Sequence, residues 1–180
     1  MFALYPILVL ASLLMTLLAW ALAPALAAVA DDSGNLPRGL RWFQTFDATL
    51  DAGWQDGYLD ASWGTTPLRR FLARVWWLYR NPAYGWDYGP FGVPFKAADW
   101  RVLRYVERPD LVLFIAIGRG GAFNVYCHAR WGMAKLGWKA WNRWDGRDWG
   151  APAWAGYERI PLCFTVNPFK RRTLAAAADQ

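Results

Sequence analysis

The sequence predicts an α+β fold: an N-terminal transmembrane helix, one amphipathic helix and a C-terminal antiparallel β-meander of about five strands. Three observations predict it. Residues 1–30 contain no charged side chain. Residues 66–80 combine a capping residue, a proline and apolar residues at helical spacing. From Trp100 onward short apolar runs alternate with turn residues, which is the period of strands. With 180 residues the chain suits one domain with a short appendage, divided at residue 30 into a span (1–30) and a Trp-rich domain (31–180). Its 14 Trp and 18% aromatic content exclude a disordered chain. Two Cys are too few for a disulfide scaffold, and one His leaves little for a metal cluster.

The first element follows from the run FALYPILVLASLLMTLLAWALAPALAAVA, which exceeds the roughly 20 apolar residues needed to cross a ~30 Å hydrocarbon layer. A span from Tyr5 to Ala23 or somewhat beyond is expected. Pro6 is tolerated near the helix start, Pro24 should kink or end it, and Trp20 suits an interfacial level. A cleaved signal segment is the rival, because Ala28-Val29-Ala30 has the small-x-small form of a cleavage site. Against it, the n-region has no Lys or Arg, and the apolar run is longer than an h-region. A buried core helix is disfavoured because no polar face interrupts the pattern. Arg38 and Arg41, on the C-terminal side, favour a cytoplasmic domain.

The charge is uneven. Residues 31–60 hold six Asp and two Arg, a net of −4, whereas residues 61–180 sum to +10. A basic domain at a bilayer attracts anionic headgroups; pairing between the Asp segment and the arginines that follow is the alternative. Residues 31–65 read as loop and turn. Asp47, Asp51, Asp56 and Asp60 miss the spacing of a calcium loop, so solvated turns or ion pairs are expected.

Residues 66–80 form the clearest soluble element, with Thr66 as cap, Pro67 at the first helical position and Asn81-Pro82 as the stop. Leu68, Phe71, Leu72, Val75, Trp76, Leu78 and Tyr79 fall on one face. Arg69, Arg70, Arg74 and Arg80 fall on the other, with Trp77 among them. Two settings fit this pattern: a helix in the headgroup layer, or one docked on the protein's own core with its arginines in water. Residues 82–99, rich in Gly, Pro and rings, read as an ordered loop. Strands are expected at Arg101–Glu107, Leu111–Ile117, Ala122–Arg130, Met133–Trp141 and Ile160–Val166, with the 66–80 helix covering one face of the meander.

No constellation completes a catalytic pattern, and no enzyme activity, cofactor or metal is expected. Gly118-Arg119-Gly120-Gly121 lacks the rest of either phosphate-loop signature and reads as a hairpin turn. Cys127 and His128 are neighbours on a strand and so point to opposite faces. Cys127 and Cys163 either pair or stay as buried thiols. The stretch Arg130–Arg147 interleaves basic residues with four Trp. That suits a headgroup layer, plain packing or, less well, single-stranded nucleic acid.

The segments Asn35-Leu36-Pro37, Leu40-Arg41-Trp42-Phe43-Gln44-Thr45, Asp47, Leu50-Asp51 and Gly53-Trp54 belong together with Arg80-Asn81-Pro82-Ala83-Tyr84-Gly85, Gly137-Trp138-Lys139-Ala140-Trp141-Asn142 and Asn167-Pro168-Phe169-Lys170. This pattern resembles a family of small uncharacterised membrane proteins encoded by tailed bacteriophages. The resemblance implies a phage origin and a hydrophobic N-terminal segment, and it carries no catalytic residues over. A non-enzymatic accessory role at the host envelope is then expected. Its partners would be the lipid bilayer, anionic headgroups and a host membrane protein, with superinfection exclusion or help with lysis as fitting tasks. A virion structural or DNA-passage component and a single-stranded nucleic-acid-binding protein are the alternatives. The expected contact residues are Arg69, Arg70, Arg74, Trp76, Trp77, Lys135, Trp138, Lys139 and Trp141.

Overall fold

The N-terminal run of Leu, Ala, Val and Met has high helix propensity and few side-chain groups that compete with the backbone. It forms α1, Tyr5–Val29. The helix continues past Pro24, beyond the limit expected near Ala23. In all, the computed structural model describes residues 1–140 and 158–172. Further helices follow as α2 (Ala52–Gln55), α3 (Pro67–Arg80) and α4 (Tyr84–Tyr88). The strands are β1 (Val93–Pro94), β2 (Trp100–Arg108), β3 (Leu111–Gly118), β4 (Phe123–Ala129), β5 (Gly132–Trp138), β6 (Arg159–Ile160) and β7 (Leu162–Asn167). The chain divides into two compact units, one of Leu10–Pro90 and one of Met1–Val9 with the residues from Phe91 onward. The division expected at residue 30 thus falls inside the first unit.

In the Leu10–Pro90 unit, a core forms where Ala19, Ala23, Leu26 and Ala27 of α1 meet Leu36, Phe43, Leu50, Trp77 and Leu78. Residues 31–65 are turns tightened by short 3₁₀ segments and α2. Helix α3 starts as expected, with the Arg69 N–H donating to the Thr66 hydroxyl and Pro67 in the first turn. Trp77 and Leu78 of α3 face the core of this unit.

In the other unit, five strands run antiparallel in the order β2-β3-β4-β5-β7, and β1 pairs with β6. The expected meander is present; β2, β3 and β4 differ from expectation by one residue at their ends, whereas β5 stops at Trp138 and the expected Ile160–Val166 strand is divided between β6 and β7. Alternation on β3 buries Val112, Phe114 and Ala116 and half-buries the other face. The 118–121 segment makes the β3–β4 turn, with Gly120 and Gly121 at φ of +74° and +78°. The start of the chain is tied in here. Tyr5 donates its hydroxyl proton to the Cys163 carbonyl at 2.9 Å and accepts from the Gly137 N–H at 2.9 Å, while Phe2 stacks on Phe123.

Candidate membrane-contact surface

Helix α1 has two different faces although hydropathy barely distinguishes them. Small residues (Ala19, Ala23 and Ala27, with Leu26) are buried in the core of the Leu10–Pro90 unit. Large ones stand in the open: Ile7, Leu10, Leu14 and Leu17 are each more than half exposed, Leu14 at 67%. Leaving such side chains in water forgoes about 1.5–3 kcal/mol apiece relative to burial. A contiguous apolar stripe of this kind marks an interaction surface.

Two polar ties bind α1 to the rest of this unit. The Ser12 hydroxyl donates to the Asp87 carboxylate at 2.7 Å, and the Trp20 indole N–H donates to the Tyr79 carbonyl at 3.0 Å. Burial pushes the Asp87 carboxyl up to about 7, against the opposing pull of the Ser12 hydrogen bond.

Helix α3 is turned roughly opposite to the orientation expected from its arginines. Leu68 (68% exposed), Leu72 (45%), Tyr79 (49%) and Trp76 (36%) face outward, whereas Ala73, Arg74, Trp77 and Leu78 are buried. The reason is a charge cancelled out of sequence range. Arg74 makes a two-pronged pair with Asp51, Nε to Oδ1 at 2.5 Å and a terminal nitrogen to Oδ2 at 2.9 Å, and also donates to the Asp31 carbonyl. With its guanidinium satisfied, the Arg74 side of the helix can turn inward and the leucine side is left outside. Trp77 goes in with it, its indole N–H directed at the Thr45 hydroxyl. Arg80 stays outside and stacks on the Tyr58 and Trp76 rings.

Residues of the 35–47 segment also come together with Gly85. Asn35, Arg41, Trp42, Thr45, Asp47 and Gly85 line a cleft of about 460 Å³. Gln44, buried behind them, accepts from the Leu36 N–H and donates to Asn35 and to the Ala48 carbonyl. Gly85 lies directly on the backbone of Arg41 and Trp42, where a Cβ has no room. The family described as a family of unknown function (DUF7338) matches over residues 1–174. The chain belongs to DUF7338. No curated protein and no solved structure matches it.

In this DUF7338 protein the expected contact residues are scattered in accessibility. Arg69 and Trp76 are exposed on α3, and Arg70 is half-buried and donates to the Gly64 carbonyl. Arg74 and Trp77 are buried, which removes them from any outer surface. On β5, Trp138 is fully buried and its indole N–H donates to the Phe91 carbonyl, so it too supports the core. Lys135 and Lys139 are half-buried, and burial together with Lys170 lowers the pKa of Lys135. Trp141 lies outside the described residues. Sequence reasoning missed Leu68, Leu72, Tyr79 and the leucine face of α1. The nearest signal is the four-residue spacing of Ala19, Ala23 and Ala27, which Leu26 joins in the core while Ala21 and Ala25 stay exposed.

In this DUF7338 protein Cys127 and Cys163 are not joined by a disulfide. Cys127 is in register with Ala134 and, across β5, with Val166, whereas Cys163 is three residues from Val166 and so faces the other side of the sheet. The two therefore do not pair. His128 is in register with Met133 and Asn167, which leaves Cys163 about 14 Å away along the strand direction, too far for a thiol–imidazole pair. Burial and the nearby Arg172 hold the His128 imidazole below its ordinary pKa.

Proposed function

We propose that this DUF7338 protein is a membrane-anchored, non-enzymatic binding protein that acts at the envelope of a bacterial host. The observation that carries the reading is the leucine face of α1, exposed along a helix of 28 residues, Phe2–Val29, that is apolar and long enough to cross a membrane. The exposed Leu68, Leu72, Trp76 and Tyr79 of α3 add apolar and aromatic surface within the same unit. Trp and Tyr side chains suit the boundary between headgroups and acyl chains. The charge of +10 over residues 61–180 favours an anionic leaflet, and Arg38 and Arg41, both exposed, favour the cytoplasmic side. The phage origin rests on the resemblance alone, and with it the accessory task and a host membrane protein as partner.

The test is fractionation of the tagged full-length protein in a bacterial host. Retention of intact protein in carbonate-washed membranes is the expected result. A soluble periplasmic product about 30 residues shorter would make the N-terminus a signal segment and end this reading.

A further inference from the structure

Given that α1 holds the protein at a bilayer, its protein-covered face decides how. Any stretch of about 20 residues taken within Phe2–Val29 contains both Ser12 and Trp20. Ser12 is bonded to Asp87, and Trp20 to Tyr79, whose neighbour is Arg80. A crossing α1 would therefore carry Asp87 and the start of the Arg80 side chain to hydrocarbon depth, where ionisable groups are expensive. Helix α3 accompanies α1 further. Ala27, Ala28 and Ala30 share a cleft with Arg70, Phe71 and Arg74, so the two helices run antiparallel side by side, their exposed faces joined at the Trp20–Tyr79 bond.

We infer that α1 lies in the plane of the membrane surface, not across it, with its leucine face and the Leu68–Leu72–Trp76–Tyr79 stripe of α3 sunk together among the upper acyl chains of one leaflet. Lipid is the occupant that the borders fit. The stripe is apolar at its centre, carries Trp and Tyr at its edge, and is flanked by the exposed cations Arg69 and Arg80, which match anionic headgroups.

The experiment uses the full chain with Cys127 and Cys163 replaced by Ser and a single new cysteine at either end of α1, Ala3→Cys or Ser33→Cys, both at exposed positions. A membrane-impermeant maleimide is applied to intact spheroplasts and to inverted inner-membrane vesicles. Labelling of both positions from the same side is expected, with loss of labelling from the other. Labelling from opposite sides overturns the in-plane geometry while leaving membrane anchoring intact. Recovery of the protein in the soluble fraction removes both. In washed membranes, Leu72→Cys carrying an environment-sensitive fluorophore should shift to the blue as Leu14→Cys does. A Leu72→Cys probe that stays water-like, or oxidises to a covalent homodimer, assigns the stripe to a second copy and overturns the lipid assignment.

Discussion

Asp51 and Arg74 meet with side chains almost fully buried, and their geometry sets a clear expectation. Removing one partner strands the other as an unpaired buried charge, so Arg74→Ala should lower the stability of the Leu10–Pro90 unit by about 3–5 kcal/mol. Replacing both by apolar residues should restore much of the loss, which denaturant titration in detergent would detect as strong non-additivity. Gly34 sits at φ +75° with a Cβ position 2.6 Å from the Asp51 carboxyl carbon. Gly34→Ala should therefore destabilise by about 1–3 kcal/mol through strain and by displacing the same carboxylate. The Arg74 pairing explains why a helix with four arginines was misread. Hydropathy assigns Arg74 to water, and the Asp51 that cancels it lies 23 residues earlier. A pairing between the Asp-rich and Arg-rich segments was legible as an alternative; which residues make it was not, because nothing local encodes the contact.

Elements were easier to read than their faces. Thr66, Pro67 and Asn81 delimit α3 because capping chemistry is local, and β3 announces itself by the apolar run Leu111–Ile117 beside turn glycines. The face of α1 was hidden for another reason: Ala and Leu both count as apolar, and buried Ala19, Ala23, Leu26 and Ala27 interleave with exposed Ala21, Leu22 and Ala25, so residue type alone does not mark the face. The Ser12–Asp87 tie between α1 and α4 makes a pH prediction. The folded carboxyl titrates near 7 and the unfolded one near 4, so in that window the folded state keeps a proton that the unfolded state has lost. Stability is then highest at the acid end of the window and falls as pH rises toward 7. Between pH 5 and pH 8 the loss should be about 1–3 kcal/mol, and Asp87→Asn should flatten the dependence in thermal melts.

At the scale of the molecule, α1 is a structural member and not a removable tether. Deleting residues 1–30 would uncover Leu36, Leu50 and Leu78, which are at most 1% exposed in the intact chain. The remaining chain should aggregate, or melt without a cooperative transition by circular dichroism; a stable, soluble, cooperatively folding 31–180 fragment would contradict this. The pattern of residues 35–54, with Gly85, looks different in this light. Gln44 knits its own loop, Gly85 admits the Arg41–Trp42 backbone, and Asp51 holds Arg74, so much of the pattern is explained by folding.

Tyr5 sits at the very start of the chain and bonds to Cys163, 158 residues later. A ribosome adding about 5–20 residues per second delivers that partner roughly 8–30 s after the tyrosine itself has been made. Throughout that interval the most apolar segment of the protein is already synthesised, while the strands that receive its first residues do not yet exist. The nascent chain therefore needs a holder for this apolar segment until β7 has been made, a task that suits a membrane or a chaperone that binds apolar helices. A stop codon placed just before β7 should leave that segment permanently in the holder's grip, turning an assembly step into a trap.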